Sequence, residues 1–327
     1  MSEVFNSGED PTPNGLDVEA VRARMLQAVE EEKAKGMTLP KIAENSRIPY
    51  TTLTAWLKDA YNGKEENVAA KATSWLVTRA AHQRTQHTRR REPGFLKTQT
   101  AERVFNLLEH AQTTPDIVTI SGAPGVGKTT ALLSYQAMGA NVWVITAEPV
   151  HTTIGTLLAL IADALNLQRR HSAADMSKSI RERLMGREGL VIIDEANHLP
   201  FALMEQVRSM VYDGASTAVA LVGNDLLDEQ FTQARAAGKA AQLVSRVGNR
   251  MNAKAPSRDD VEKMLHGWGL QEPDVRQFAT GIAMKPGHLR QMGRVLRTAF
   301  ALAALRRAEE PTVSELKTAW RQLGGAN

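Results

Sequence analysis

A chain of 327 residues that is 43% hydrophobic, with 23 glycines and 13 prolines, has length for two or three domains and an ordinary globular composition. It has no cysteine, which excludes disulfides and thiolate-held metals, and its polar start, Met1-Ser2-Glu3-Val4-Phe5-Asn6, lacks a signal-peptide core; no apolar run approaches the ~20 residues of a spanning helix, so a cytoplasmic protein with no membrane partner is expected. The net charge of +4 is unevenly spread: residues 1–63 carry 7 Lys/Arg against 10 Asp/Glu, and the remainder 33 against 26.

In chain order, residues 1–15 are rich in Ser, Gly, Asp, Pro and Asn and read as a disordered tail. Leu16 to Lys35 reads as a charged amphipathic helix, with Val21, Met25 and Val29 four apart on one face. Met37 to Leu57 has the outline of a helix-turn-helix: Ala43 where two helices touch, a turn over Ser46–Pro49, and Ile48, Leu53 and Trp56 as the apolar clamp. Tyr50, Thr51, Thr52 and Thr54 then lie on the outer face of the second helix, able to meet bases or phosphates. The acidic balance of this all-α domain, residues 16–63, leaves protein contact as the alternative use.

Residues 64–97 read as a helix around Val68–Ala81 and a basic linker. Arg79 to Glu92 holds five arginines and one acid, which suits either a polyanion or solvent. A helix over Thr98–His110 follows. Strands are then expected at 116–121, 142–147, 190–195 and 218–223, with helices at 128–138, 153–165, 177–185, 201–213 and from 225. A last strand should follow the arginines Arg246 and Arg250. This alternation predicts an α/β core over 98–254, a five-stranded parallel sheet with helices on both faces. From about 257 the pattern is all helical, with turns at Gly267, Gly269, Pro286-Gly287 and Pro311, giving a C-terminal helical lid domain over 255–327.

Chemistry concentrates in the core. Gly122-Ala123-Pro124-Gly125-Val126-Gly127-Lys128-Thr129 is a complete G-x-x-x-x-G-K-[ST] phosphate loop, entered from an apolar β-branched run and continued by Thr130 into helix formers. Strand, glycine loop and helix together aim backbone N–H groups and a positive helix end at a nucleotide's phosphates. Lys128 is expected to reach the β- and γ-phosphates and the Thr129 hydroxyl to ligate Mg²⁺. Leu190-Val191-Ile192-Ile193-Asp194-Glu195 puts two carboxylates at the end of a buried strand. Asp194 is placed for the Mg²⁺ shell and Glu195 for polarising the attacking water. The pattern implies a P-loop NTPase that binds ATP with Mg²⁺ and hydrolyses it.

Accessory residues narrow the subclass. Asn224, after the run Ala218–Gly223, sits where sensor 1 of AAA+ ATPases orients that water; a turn asparagine is the plainer use. Arg246, with Arg250 second, stands where an AAA+ arginine reaches a neighbouring subunit's site, though a surface ion pair is an equally simple role. Gly287-His288-Leu289-Arg290 resembles sensor 2, which would bring Arg290 over the nucleotide.

The helix-turn-helix joined to this core resembles the Mu B transposition proteins of Mu-like transposing bacteriophages. The likeness runs in order through Tyr61-Asn62-Gly63, Thr98-Gln99-Thr100, the phosphate loop, Asn141-Val142-Trp143, Gly189 to Ala196, Gly223-Asn224, Ser245-Arg246, Lys285-Pro286-Gly287 and Leu289-Arg290. The resemblance implies an ATP-dependent filament of identical subunits on duplex DNA, with little sequence preference, that delivers target DNA to the phage transposase in the host cytoplasm. In such an assembly the loops after the second and third strands face inward, which marks Arg169, Arg170, His171, Lys178, Arg181 and Arg183 as candidate DNA contacts. A helicase loader of the DnaC type would share the ATPase motifs without a preceding helix-turn-helix, and an ATP-gated transcription regulator would give sequence-specific footprints.

Overall fold

The computed structural model describes residues 17–89, 92–169, 172–238 and 241–325. The chain falls into two units that divide between Arg89 and Arg90. The tail expected over 1–15 lies outside the described residues.

Among the described residues the first unit has four helices: α1 (Val18–Ala34), α2 (Leu39–Ser46), α3 (Tyr50–Leu57) and α4 (Glu65–Arg89). Asp17 caps α1 by accepting from the Ala20 N–H at 3.0 Å. Pro40 stands in the first turn of α2, and Arg47 ends that helix in the left-handed region at φ 54°. Val21, Met25, Val29, Ile42, Ala43, Ile48, Leu53 and Trp56 are buried together with Val68, Ala69 and Ala72 of α4, so the apolar positions read from the sequence do form one core. Arg22 lies over the Trp56 ring at 5.6 Å and pairs with Asp59 and Glu65, while Arg79 bonds Glu31 and Glu32 at 2.6 and 3.0 Å.

The helix expected over Val68–Ala81 runs on to Arg89, so most of the expected basic linker is helix. No proline or glycine interrupts the chain before Pro93-Gly94, and Ala, Gln and Arg are good helix formers, so nothing stops α4 earlier.

The second unit begins its regular structure with α5 (Gln99–Thr113), β1 (Ile117–Gly122), α6 (Lys128–Met138), β2 (Val142–Thr146), α7 (Ile154–Ala164), α8 (Ala173–Leu184) and β3 (Leu190–Asp194). It continues with α9 (Phe201–Val207), β4 (Ala218–Val222), α10 (Asp225–Ala236), α11 (Ala241–Arg246) and β5 (Val247–Ala253). Every pairing is parallel, and the sheet order is β2-β3-β4-β1-β5. Side-chain alternation divides the strands between two cores. Val191, Ile193, Val219 and Leu221 pack with α7 to α11 on one face; Ile192, Ala220, Val222 and Ile120 pack with α5 and α6 on the other. Both faces are covered, which is why these strands read as continuous apolar runs.

Three expectations shift. The helix expected at 177–185 starts earlier, at Ala173, because Ser172 caps it by accepting from the Asp175 N–H at 3.0 Å. The helix expected over 201–213 becomes α9 plus a π-helical turn over Arg208–Asp213. That wider turn accommodates a buried Arg208, which bonds Glu205 at 2.7 Å, Gln242 at 2.9 Å and Asp213. Arg250 does not precede the last strand. It lies within β5 opposite Thr119, its guanidinium 5.4 Å over the Phe231 ring.

After the sheet come α12 (Arg258–Gly267), α13 (Pro273–Ala283), α14 (His288–Leu305) and α15 (Val313–Gln322), packed around Leu265, Trp268, Leu296, Phe300 and Leu316. A fully buried Asp260 ties this bundle to the core: it accepts from the Thr100 hydroxyl at 2.6 Å, the Thr100 N–H at 3.2 Å and the Ser257 N–H at 3.1 Å. No helix among the described residues is long and apolar enough to cross a membrane.

Candidate nucleotide site

Because β4 lies between β1 and β3, the ends of three strands converge: Gly122 ends β1, Asp194 ends β3, and Asn224 follows β4. That is the carboxyl edge where parallel sheets bind ligands. The loop from Gly122 to Gly127 needs its glycines. Gly122 has φ 137°, and a Cβ there would sit 2.1 Å from the Ala253 carbonyl oxygen of β5. Gly125 has φ 89°, and a Cβ there would sit 2.2 Å from the Gly287 oxygen. Gly127, at φ 103°, caps α6. Of the other loop residues, Val126 is buried, Ala123 half-buried, and Pro124 and Thr130 exposed.

Lys128 curls back into the loop, donating to the Gly122 and Ala123 carbonyls at 2.7 and 3.0 Å. Burial pushes its ammonium below the ordinary lysine range; Glu195, Asp194 and Asp225 oppose that shift, and Arg290 adds to it. The Thr129 hydroxyl donates to Asp194 Oδ2 at 2.7 Å, and the other oxygen, Oδ1, accepts from the Glu195 N–H at 3.0 Å. Asp194 is buried, whereas Glu195 is half-buried and lines the cavity in front of the loop. Glu195 takes a left-handed backbone at φ 53°, uncommon for a non-glycine residue.

That cavity has a volume of about 480 Å³ and takes in Pro124 to Thr130, Glu195, Asn224 and Arg290. The structure thus gathers the expected loop, base, sensor 1 and sensor 2 positions around one space. Arg290 comes in through α14, whose first turn touches the loop: the Arg290 N–H donates to the Gly125 carbonyl at 3.2 Å. Asn224 also starts a helix. Its Oδ1 accepts from the Leu226 N–H at 2.9 Å, capping α10.

The other end of the cavity was not anticipated from sequence. Phe95, Leu96, Met264, Trp268, Leu289 and Gly293 line it, giving an apolar slot beside the phosphate loop, and the Glu92–Arg297 ion pair belongs to the same lining. Pro93-Gly94 is thus part of a strap against α12, where a Cβ on Gly267 would meet Leu96 at 2.6 Å, and is more than a break between helices. The short aromatic and aliphatic strap Phe95-Leu96 just before the first core helix is the signal that could have found it.

The remaining candidates stand apart from this cavity's lining. Arg246, the last residue of α11, is exposed and lies 3.5 Å from Asp213. Arg169 is exposed and bonds Asp163 at 2.6 Å, Lys178 lies 3.8 Å from Glu182, and the exposed Arg181 packs its aliphatic stem against Gly214. Arg170 and His171 lie outside the described residues. In the first unit Tyr50 and Thr51 are exposed, while Thr52 and Thr54 are half-buried and the Thr54 hydroxyl bonds the Tyr50 carbonyl at 2.8 Å.

Comparisons with known proteins agree with this geometry. A family model described as "AAA domain" matches residues 110–231, and one described as "Mu B transposition protein, C terminal" matches residues 245–323. The "ATP-dependent target DNA activator B" of Escherichia phage D108 is 30% identical over 309 residues, 94% of this chain and 96% of that protein. The "Mu-like prophage FluMu DNA transposition protein B" of Haemophilus influenzae is 31% identical over 242 residues, 72% of this chain and 81% of that protein. The solved ORC2 protein of Aeropyrum pernix, in ADPNP and ADP complexes, aligns with a TM-score of 0.56 at 17% identity over 70% of this chain and 69% of that one, a likeness of fold. The phosphate loop, the paired carboxylates and a 30% identical match along 94% of the chain place it in the Mu B-like family of AAA+ target-DNA activators.

Proposed function

We propose that this protein captures duplex DNA in an ATP-dependent manner, with little sequence preference, and presents it as target to a phage transposase. The observation that carries the reading is the match along 94% of the chain to a target-DNA activator, which takes in the first helical unit as well as the ATPase core. Filaments on random-sequence DNA that form with ATP and not without it, seen by electron microscopy, are the expected result. Sequence-specific footprints on a few sites would overturn it in favour of an operator-reading regulator.

In this reading Gly122 to Thr130 hold the nucleotide's phosphates through backbone N–H groups, and Lys128 exchanges its two carbonyl partners for phosphate oxygens. The Thr129 hydroxyl and the Asp194 carboxylate are hard oxygen donors 2.7 Å apart, a pair that suits Mg²⁺, a metal that takes its other ligands from phosphates and water. When bound, Mg²⁺ would supply charge neutralisation at the phosphates. Glu195 accepts the attacking water's proton, Asn224 orients that water, and Arg290 neutralises charge from α14. The apolar slot of Phe95, Leu96, Trp268 and Leu289 takes the base.

The helices over 255–327 then serve as a lid that closes through Arg290, and the segment over 16–63 serves as a helix-turn-helix. Two features support DNA contact there. Helix α3 carries no acid, and the acids Glu31, Glu32, Asp59 and Glu65 are held by Arg22 and Arg79, which blunts the domain's negative balance. Arg246 serves as the finger that enters a neighbour's site, so assembly and hydrolysis are coupled. Arg169, Arg170, Lys178 and Arg181 add phosphate contacts inside the filament.

A further inference from the structure

Asn197 lies two residues beyond Glu195, in the single 3₁₀ turn Ala196–His198, and is buried at 9% exposure. Its Oδ1 accepts the backbone N–H of Asn224 at 3.1 Å. The donor there is an N–H, so the carbonyl end of the amide must face it, which settles the side-chain orientation. Gly223 makes the approach possible, since a Cβ on Gly223 would lie 2.5 Å from Asn197 Oδ1. The main chain of Asn197 is held as well. Gln230 of α10 donates its amide to the Asn197 carbonyl at 3.1 Å, and the Glu195 carbonyl closes the turn by accepting from the His198 N–H at 2.9 Å.

The result is a bracket between two strand ends. One side carries Glu195, whose left-handed backbone has few alternative conformations to settle into once the turn is closed. The other carries Asn224, whose side chain also begins α10. Strands β3 and β4 are neighbours in the sheet, so their registers fix the two chain ends only as far as Ile193 and Leu221. Beyond that pair β4 stays tied to β1 through the Gly223 N–H on the Ile120 carbonyl at 2.9 Å, and β3 to β2 through the Ala147 N–H on the Asp194 carbonyl at 2.9 Å, and the Asn197 amide is the side chain that crosses from the β3 end to the β4 end.

We infer that Asn197 is a positioning residue for ATP hydrolysis, setting the distance between Glu195 and Asn224 through the Asn224 N–H. This rests on the reading of Glu195 as base and Asn224 as water-orienting group. Asn197 touches neither the phosphate loop nor Lys128 by any of these bonds, so its role predicts a loss in turnover without a loss in nucleotide affinity. Misplacement of a reacting group by about 1 Å costs up to ~100-fold in rate.

The experiment compares Asn197→Ala and Asn197→Asp, each alone and in an Asn224→Ala background, by ATPase kinetics, direct binding of labelled ATP and thermal melting. Asn197→Ala should lower kcat roughly 10- to 100-fold with ATP affinity unchanged. Asn197→Asp keeps an acceptor of the same shape and should recover most of kcat. In the Asn224→Ala background, removing Asn197 should cost little further, because its effect runs through Asn224. Gly223→Ala provides a second route, since its Cβ displaces the amide while leaving Asn197 in the chain; it should copy the Asn197→Ala split. An unchanged kcat in Asn197→Ala, a parallel fall of kcat and ATP affinity, or full additivity with Asn224→Ala would each overturn the inference. Glu195→Gln is run alongside: wild-type turnover in that variant removes the base itself, a failure distinguishable from that of the bracket.

Discussion

Lys128 and Arg169 are both cations proposed to meet phosphates, and they are held by different things. Lys128 is half-buried and bonded to two backbone carbonyls whose positions are set by the end of β1 and the glycine loop. Arg169 is exposed and bonded to the Asp163 carboxylate, another side chain in solvent. A phosphate at Lys128 replaces weak dipoles with a full charge in a partly dry site. At Arg169 it must exchange one ion pair for another in water, where such pairs are worth little. The difference teaches that a cation held by main chain is reserved for a ligand by geometry, while one held by a carboxylate is available only through competition.

The comparison can be broken most sharply at the main-chain-held end. Glu195→Gln should lower kcat by roughly 10²–10⁴-fold while ATP and DNA binding persist, because the isosteric amide cannot take the water's proton. Steady-state ATPase assays alongside filament imaging check this, and wild-type turnover would rule Glu195 out as the base. Lys128→Ala should weaken ATP roughly 10- to 100-fold, the scale of losing a charged hydrogen bond in a partly buried site, and DNA binding should fall with it. Unchanged DNA affinity in that variant would detach DNA binding from the nucleotide.

A smaller effect is expected at the carboxylate-held end. Arg169→Ala should weaken all duplexes alike, lower the slope of log affinity against log salt by about one unit and leave the melting temperature unmoved. Loss confined to particular sequences would indicate base reading there. The smallest effect sharpens an intermediate case, Glu315. The Arg306 guanidinium holds its carboxyl below the ordinary range, with burial opposing and the Thr312 N–H and hydroxyl assisting. A carboxylate lowered on folding contributes stability above its unfolded value of 4.5, lost as pH falls through the lower folded value. Glu315→Gln should therefore melt about 1–3 °C lower near neutral pH and no lower than wild type in strong acid, by calorimetry.

The same division between local and distant geometry explains what could be read in the sequence. The phosphate loop, the strand ending in Asp194-Glu195 and the buried strands were legible because each is a contiguous pattern whose meaning is fixed within about ten residues. Helix α4 runs past the expected Val68–Ala81 because helix propensity outweighs charge in the arginine run. The apolar slot was not legible, since Phe95, Met264, Trp268 and Leu289 meet only after α12 and α14 fold against the strap before α5. Nor was the π-helical turn, which depends on Arg208 finding Gln242 far along the chain. Arg246 closes α11 immediately before β5, and its contact with Asp213 is illegible in the sequence for the same reason.

The contact between Gly125 and Gly287 has a genetic consequence. The two residues lie far apart in the chain, yet Gly287 denies Gly125 room for a side chain, since even a methyl on Gly125 would overlap the Gly287 carbonyl, and Gly287 itself holds φ 92°. A random screen for loss of ATP binding should therefore return substitutions in the Lys285–His288 turn as readily as in the glycine loop. Some of those lesions should be suppressed by second changes near the first turn of α14, mapping as a single locus in space although the codons lie far apart.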